Sequence, residues 1–130
     1  VIDPNWAEIG FGQWDGRHRE DLEADPTSRS RLASYYDDPQ RQTPPGGECW
    51  SVFEKRVHAA LGDCYVRAAD KPALVVTHAG PIRMALSAIL GVPLRSLWAI
   101  RVSYGTRVQL EVGRMDDGTF WGELVEIVQP

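Results

Sequence analysis

The 130-residue sequence is poor in several features that would point to a particular class of protein. It has two cysteines, Cys49 and Cys64, whose spacing fits neither a zinc site nor a CxxC redox motif. Both fall within one predicted helix, too far apart along it to form a disulfide. The sequence therefore predicts two buried free thiols, as expected of a protein in the reducing cytoplasm.

Long apolar runs and a basic face are also absent. No stretch is long and apolar enough to span a membrane, and the first residues do not resemble a signal peptide. We therefore expect a cytoplasmic protein with no membrane partner. The net charge is −4 and the Lys and Arg residues are scattered, which argues against a nucleic-acid partner. An anionic ligand would be held by local groups rather than by the overall field.

Clustered metal ligands are missing as well. His18, His58 and His78 lie in unrelated predicted elements. The acidic pairs at 37–38 and 116–117 fall in turns, where Asp is common. The sequence therefore predicts no metal site and no cofactor.

What the sequence does contain is a balanced globular composition, with 43% apolar and 25% charged residues. We expect a single domain over residues 1–130. Residues 1–16 are predicted to be mostly loop, and "HREDLEAD" predicts a short helix that ends near Pro26. The prolines and glycines of "YYDDPQRQTPPGGE", at 35–48, predict a loop.

A helical period follows this loop. Apolar residues recur at helical spacing at Trp50, Phe53, Val57, Ala60, Leu61 and Cys64. The spacing predicts an amphipathic helix over roughly 48–69. Gly47 or Glu48 lies at its start, where a carboxylate is stabilised by the positive end of the helix dipole.

The remaining patterns predict a layered α/β fold. "ALVVT" at 73–77 is short, apolar and rich in β-branched residues, which favours a strand buried on both faces of a parallel sheet. Pro81 fits the first turn of a following helix, which ends at Gly91. "TRVQLEV" at 106–112 and "FWGELVEIV" at 120–128 predict an antiparallel hairpin. A long helix, a buried strand and another helix are typical of an α/β sheet.

His78 lies directly between the predicted strand and the helix. In such sheets ligands bind beyond the carboxyl ends of the strands, against helix N-termini. The backbone N–H groups from Ala79 onward can face a phosphate there, and His78 can donate a hydrogen bond to it. A lone histidine at a strand end is also commonly a structural residue, so the position alone leaves both interpretations open.

Four segments, in the right order, resemble motifs of the histidine phosphatase superfamily, which includes the phosphoglycerate mutases. "VVTHAGPIR" at 75–83 resembles the second histidine motif. "AEIGFGQWDG" at 7–16 resembles the E-x-x-F-G-x-W-E-G stretch, with Asp in place of the second Glu. "PPGGECWSVFEKRV" at 44–57 resembles a P-x-G-E-S helix start, with Cys49 in place of Ser. "LWAIRVSYGT" at 97–106 is similar to the corresponding region of α-ribazole phosphatases.

The resemblance implies a three-layer phosphoglycerate mutase-like fold, with a mostly parallel sheet and helices on both faces, of which residues 1–130 form the C-terminal portion. It implies that His78 is the second histidine and holds phosphate together with the backbone of Ala79. It also implies that Glu8 is the acid that protonates the leaving oxygen. A bound phosphate would favour the neutral Glu8 carboxyl because like charges repel, which suits a general acid near neutral pH. The alternative for Glu8 is a solvated loop carboxylate.

The nucleophile of the family is not among these residues. It is the histidine of an R-H-G motif that follows an apolar strand, whereas the pair Arg17 and His18 is followed by Arg19 and has no strand before it. We interpret that pair as a solvated segment, and we expect the nucleophile to lie upstream of Val1. Without the R-H-G strand, residues 73–77 would expose an apolar edge. We also expect this chain alone not to hydrolyse phosphomonoesters.

The resemblance therefore implies a phosphatase acting on a small-molecule phosphate ester through a phosphohistidine, with α-ribazole 5′-phosphate as one candidate. A non-catalytic or truncated relative that serves as a binding or assembly module is one alternative, and a phosphoglycerate mutase is another. Mutases of the family usually carry longer insertions near the active site, so the short loop at 37–47 favours the hydrolase. A homodimer is a further expectation. Tryptophans at 6, 14, 50 and 98 are candidates to line a pocket for an aromatic ligand, although core packing is their commoner role.

Overall fold

The computed structural model describes all 130 residues, Val1–Pro130. Its regular elements are α1 (Arg19–Ala24), α2 (Pro26–Asp37), α3 (Trp50–Arg67), α4 (Ala79–Leu90), β1 (Arg107–Arg114) and β2 (Phe120–Val128). Short 3₁₀ helices lie at Pro4–Trp6, Gly12–Trp14 and Leu94–Ala99. None of the helices is long and apolar enough to cross a membrane. The chain divides into two compact units, residues 9–56 and residues 1–8 with 57–130. The single domain over 1–130 stays a prediction.

The unit of residues 9–56 is built around a small, partly aromatic core. The core consists of buried Trp14, Leu22, Leu32 and Tyr35, with Phe11 packed against them. The rings of Phe11 and Trp14 each meet the Tyr35 ring edge to face, with 5.9 Å between centroids. Edge-to-face contact is a favoured arrangement for aromatic pairs. This core packs α1 and α2 against the 3₁₀ helix at Gly12–Trp14.

The predicted helix in "HREDLEAD" is α1, and it ends at Ala24 as expected. A second helix, α2, follows at once and was not predicted. The Asp25 carboxylate accepts the Ser28 N–H at 2.7 Å, and Pro26 occupies the first turn, where its missing N–H costs nothing. The predicted loop was therefore wrong for residues 35–37, which are helical. Pro26 therefore follows the end of α1 and is also the first residue of α2.

Two of the quoted motifs interlock through their glycines. Glu48 N–H donates to the Gly10 carbonyl at 2.8 Å, which brings the two loops together. Gly12 has a φ of 59°, and a Cβ built on it would lie 2.4 Å from the Gly46 carbonyl carbon and from the Gly47 nitrogen. Only glycine permits that backbone approach and that conformation. The F-G-x-W and P-P-G-G-E stretches therefore pack directly against each other.

Helix α3 confirms the helical period found in the sequence. The predicted apolar face is buried at Trp50, Phe53, Val57, Ala60 and Leu61.

Both cysteines are free, but only one is shielded from solvent. Cys64 is partly buried on α3, whereas Cys49 is exposed. The prediction of two buried thiols was wrong for Cys49, because α3 begins at Trp50 rather than at residue 48 and leaves Cys49 outside the helix.

In the unit of residues 1–8 and 57–130, α4 packs against the hairpin of β1 and β2. A cluster of buried Leu61, Ala85 and Ile89 joins α3 to α4, and partly buried Leu110, Val112 and Phe120 of the hairpin pack on it. The predicted antiparallel hairpin is confirmed, with Leu110 opposite Leu124 and a register shift between Gln109 and Leu110. As predicted, α4 ends before Gly91, which has a left-handed φ of 63°.

The predicted strand at 73–77 is not formed. These residues belong to no regular element, and the only sheet of the structure is the two-stranded β1–β2 pair. Leu74 and Val76 are 86% and 88% exposed. A strand needs a hydrogen-bonded neighbour, and the described chain provides none for this segment. The parallel sheet expected from the resemblance is therefore not completed within these residues, and the segment exposes the expected apolar side chains.

Candidate functional site

The candidate site lies at the N-terminus of α4. His78 immediately precedes the helix, with φ −116° and ψ 173°, and its side chain makes no capping hydrogen bond. The residue is exposed. Helix geometry leaves the first N–H groups without an intrahelical acceptor, and the dipole adds partial positive charge there. Because Pro81 has no N–H, the donors that this helix end offers are those of Ala79 and Gly80.

Glu8 reaches the same helix end from a distant part of the chain. The Gly80 N–H donates to Glu8 Oε2 at 3.0 Å across 72 residues of sequence. The Glu8 residue is partly buried. Its carboxylate is therefore held at this helix end by a hydrogen bond. The structure brings all three predicted site residues, Glu8, His78 and Ala79, to one end of α4, while their catalytic and binding roles stay predictions.

A second hydrogen bond holds the two segments side by side. The Thr77 hydroxyl donates to the Trp6 carbonyl oxygen. Trp6 also packs, partly buried, against the apolar cluster shared by α3 and α4. The Thr77 bond lies on one side of His78 and the Gly80–Glu8 bond lies on the other. The position of Glu8 relative to the helix end is thus fixed by contacts at two points.

Arg83 is a residue of the site region to which the sequence reading assigned no role. Its Nε donates to the Leu97 carbonyl at 3.3 Å and its Nη2 to the Ile100 carbonyl at 3.2 Å. The guanidinium also lies over the Trp98 ring, 4.6 Å from its centroid. Burial lowers the pKa of Arg83, while the Glu8 carboxylate acts in the opposite direction. Arg83 therefore links the 94–100 segment electrostatically to the acid of the site.

Glu48 forms an ion pair that the sequence did not predict. It lies before the start of α3 and forms an ion pair with Arg56, at 2.7 Å and 2.8 Å for its two oxygens. It also accepts the Gly10 N–H at 3.2 Å. The hydrogen bond from Arg56, followed by that from Gly10, holds the pKa of Glu48 below its ordinary value although burial opposes the shift. The family-like P-x-G-E stretch thus supplies a structural ion pair to the unit of residues 9–56.

The other histidines lie in ordinary surface positions. His18 precedes α1 without making a side-chain cap, and Arg17 and His18 are both exposed. His58 is exposed on α3. No group of three or more His, Cys, Asp or Glu side chains is arranged to hold a metal ion.

Comparison with known proteins gives one consistent family. The family model of the histidine phosphatase superfamily (branch 1) matches residues 1–121. The adenosylcobalamin/alpha-ribazole phosphatase of Escherichia coli is 26% identical over 113 residues, which are 87% of this chain and 55% of that protein. The protein of the same name from Salmonella typhi is 30% identical over 108 residues, covering 78% of this chain and 50% of that protein. The chain spans about half the length of the curated relatives it matches.

The structural comparison agrees. The crystal structure of the alpha-ribazole phosphatase from Shigella flexneri matches with a TM-score of 0.71 and 26% identity, covering 86% of this chain and 55% of that chain. The predicted fold class is confirmed by this match, since the chain is a mixed α/β structure that corresponds to about half of the phosphatase fold.

Proposed function

This chain belongs to branch 1 of the histidine phosphatase superfamily, and we propose that it supplies the acid and the second histidine of a phosphatase active site. The observation that carries the proposal is the hydrogen bond from Gly80 N–H to Glu8 Oε2. It holds Glu8 at the helix end that His78 immediately precedes, and helix N-termini are suited to anions.

In the proposed site the phosphoryl group lies at the start of α4. His78 and the Ala79 N–H donate hydrogen bonds to its oxygens, and the helix dipole adds favourable potential. Such donors matter because the transferring phosphoryl group spreads negative charge over its oxygens. The exposure of His78 supports this role, because an imidazole that faces solvent is accessible to a ligand.

The proposed reaction has two steps. In the first, a histidine of an R-H-G segment attacks phosphorus, a P–N bond forms, and the ester P–O bond breaks as Glu8 transfers its proton to the leaving oxygen. In the second, Glu8 takes a proton from water, the resulting hydroxide attacks phosphorus, and the P–N bond breaks to release phosphate. No R-H-G occurs in the 130 residues. We therefore propose that a segment outside them supplies the nucleophile and that the chain alone is inactive.

The proposed substrate is a small-molecule phosphomonoester. The names of the relatives favour α-ribazole 5′-phosphate and a hydrolase over a mutase. The net charge of −4 disfavours a nucleic-acid partner. A cytoplasmic location, the absence of a membrane partner and a homodimer are further proposals for this chain.

A second candidate function is a non-catalytic binding module. The segment at 73–77, which pairs with no strand of the structure, favours it. The coding sequence upstream of Val1 separates the two candidates. An apolar strand followed by R-H-G is expected for the enzyme, whereas a stop codon or unrelated sequence would favour the module.

Calorimetric titration with inorganic phosphate tests the proposed site. We expect weak binding that falls about tenfold or more in His78→Ala, since a hydrogen bond to a charged group contributes about 1.5–3 kcal/mol. His58→Ala is the matched control, because His58 is also exposed but lies on α3. Equal binding by the two variants would overturn the assignment of His78. Hydrolysis of p-nitrophenyl phosphate by the chain alone, if lost in His78→Ala, would overturn the proposal that the nucleophile lies elsewhere.

A further inference from the structure

Trp98 is presented to solvent by a firmly anchored segment. It lies on the 3₁₀ helix Leu94–Ala99, whose Leu94 and Leu97 are 7% and 3% exposed. Trp98 itself is 43% exposed. The segment is therefore held by its leucines while a large apolar ring remains in solvent. Burial of that ring against a ligand would be favourable.

Arg83 fixes the ring from one side. Its guanidinium lies 4.6 Å from the Trp98 ring centroid, a cation–π contact. The same guanidinium bonds the carbonyls of Leu97 and Ile100, which flank Trp98 in sequence. The two carbonyl bonds hold the backbone on either side of Trp98, and the ring contact holds the indole itself. The result is a rigid aromatic surface with one face occupied by a cation.

This surface belongs to the same unit as the proposed acid and is connected to it. Glu8, the residue that would protonate the leaving oxygen, accepts the Gly80 N–H at the N-terminus of α4, and Arg83 lies one turn beyond Ala79 on the same face of that helix. The alcohol part of a substrate extends from that oxygen. Arg83 thus contacts Trp98 one turn from the helix end at which the leaving alcohol would meet Glu8.

We propose that Trp98, held in place by Arg83, is a specificity determinant that stacks on a planar aromatic ring in the alcohol part of the phosphate ester. The proposal rests on the proposed phosphatase site. Aromatic rings prefer offset or edge-to-face partners, and a preorganised indole loses little entropy when it stacks. Arg83 is a positioning residue in this arrangement, because it acts through Trp98 rather than by touching the ester.

Phenyl phosphate and cyclohexyl phosphate test the proposal, because they match in charge and nearly in size but only one is aromatic. We expect the chain to bind phenyl phosphate about 3- to 10-fold more tightly in calorimetric titration. Trp98→Leu should reduce the ratio to near one, and Trp98→Phe should retain part of it. Arg83→Lys should lower the ratio while binding of inorganic phosphate is retained.

Trp121→Leu is the control, because Trp121 is 53% exposed on β2 and should not change the ratio. Equal binding of the two esters by the unmodified chain, or a ratio that survives Trp98→Leu, overturns the role of Trp98. Titration with inorganic phosphate distinguishes failure of the Trp98 proposal from failure of the phosphate site. If phosphate binds and His78→Ala weakens it, the phosphate site stands even where the aromatic preference is absent. If neither ester nor phosphate binds, both proposals fail.

Discussion

The ion pair between Glu48 and Arg56 allows a quantitative prediction about stability. The Glu48 carboxylate accepts two hydrogen bonds from Arg56 and one from the Gly10 N–H. The Arg56 and Glu48 side chains are only 18% and 17% exposed. Water therefore screens the pair weakly, and removal of the carboxylate would leave a guanidinium and a backbone donor without this acceptor.

The expected cost follows from these contacts. A hydrogen bond to a charged group contributes about 1.5–3 kcal/mol, and breaking a fully buried pair costs about 3–5 kcal/mol. Since nearly a fifth of each side chain is exposed, we expect Glu48→Ala to lower the free energy of unfolding by about 2–3 kcal/mol at pH 7. The matched control is Asp38→Ala in the same unit, whose pair with Arg41 spans 3.6 Å with side chains 41% and 86% exposed. That change should cost less than about 1 kcal/mol.

The effect should depend on pH in one direction. Arg56 holds the pKa of Glu48 below its ordinary value, so folding favours the ionised form. Its contribution is fully present above the pKa of the unfolded chain, about 4.3, and is lost as pH falls through the lower pKa of the folded state. The difference between the parent chain and Glu48→Ala should therefore shrink below about pH 4.

Urea unfolding followed by circular dichroism at pH 7 and at decreasing pH measures both effects. Equal midpoints for Glu48→Ala and Asp38→Ala at pH 7 would refute the reasoning. A difference that stays constant down to pH 3 would show that the lost stability comes from packing and not from the charge.

Three further predictions concern other parts of the chain. Gly12→Ala should lower the urea midpoint far more than Gly16→Ala, because both have positive φ but only Gly12 is in close contact with the facing loop; equal midpoints would contradict the interlocked loops. Cys49 should react with Ellman's reagent before Cys64, since the hydrogen bond with Ser51 lowers the pKa of the exposed Cys49 thiol and burial raises that of Cys64. Single Cys→Ser variants identify which thiol reacts, and faster reaction of Cys64 would contradict the structure. Leu74→Lys with Val76→Lys should reduce light scattering on concentration without lowering the urea midpoint, because both side chains are exposed; a large loss of stability would show that the segment is packed.

Local pattern predicted the elements that depend on local contacts. Helices α3 and α4 were predicted from the spacing of their apolar residues, and β1 from the alternation of apolar and polar residues. Each pattern marks the face of an element that packs against its neighbour. Helix α2 was missed because Pro26 was read as an end signal, although Asp25 before it is a capping residue.

The strand at 73–77 could not be settled by its own residues. Its composition is that of a buried strand, but pairing depends on a neighbour that the composition of the segment cannot report. The exposure of Leu74 and Val76 is the physical consequence.

Site residues that belong to a family motif could be predicted from the sequence. Residues whose role depends on tertiary contacts could not. Glu8 and His78 were selected by resemblance, and the structure places both at the start of α4. Arg83 belongs to the motif at 75–83, but its contacts could not be predicted from that motif. Its carbonyl and ring partners lie 14 to 17 residues further along the chain. The ion pair between Glu48 and Arg56 was likewise not predicted, since a carboxylate near the start of a helix is usually explained by the helix dipole alone.

The most direct test of the phosphate site is a two-dimensional ¹H–¹⁵N NMR titration of the chain with inorganic phosphate. We predict saturable shifts of the Ala79 and Gly80 amide signals that are lost in His78→Ala and retained in His58→Ala. Shifts elsewhere with these two amides unmoved, or identical shifts in both variants, would contradict a phosphate site at the start of α4.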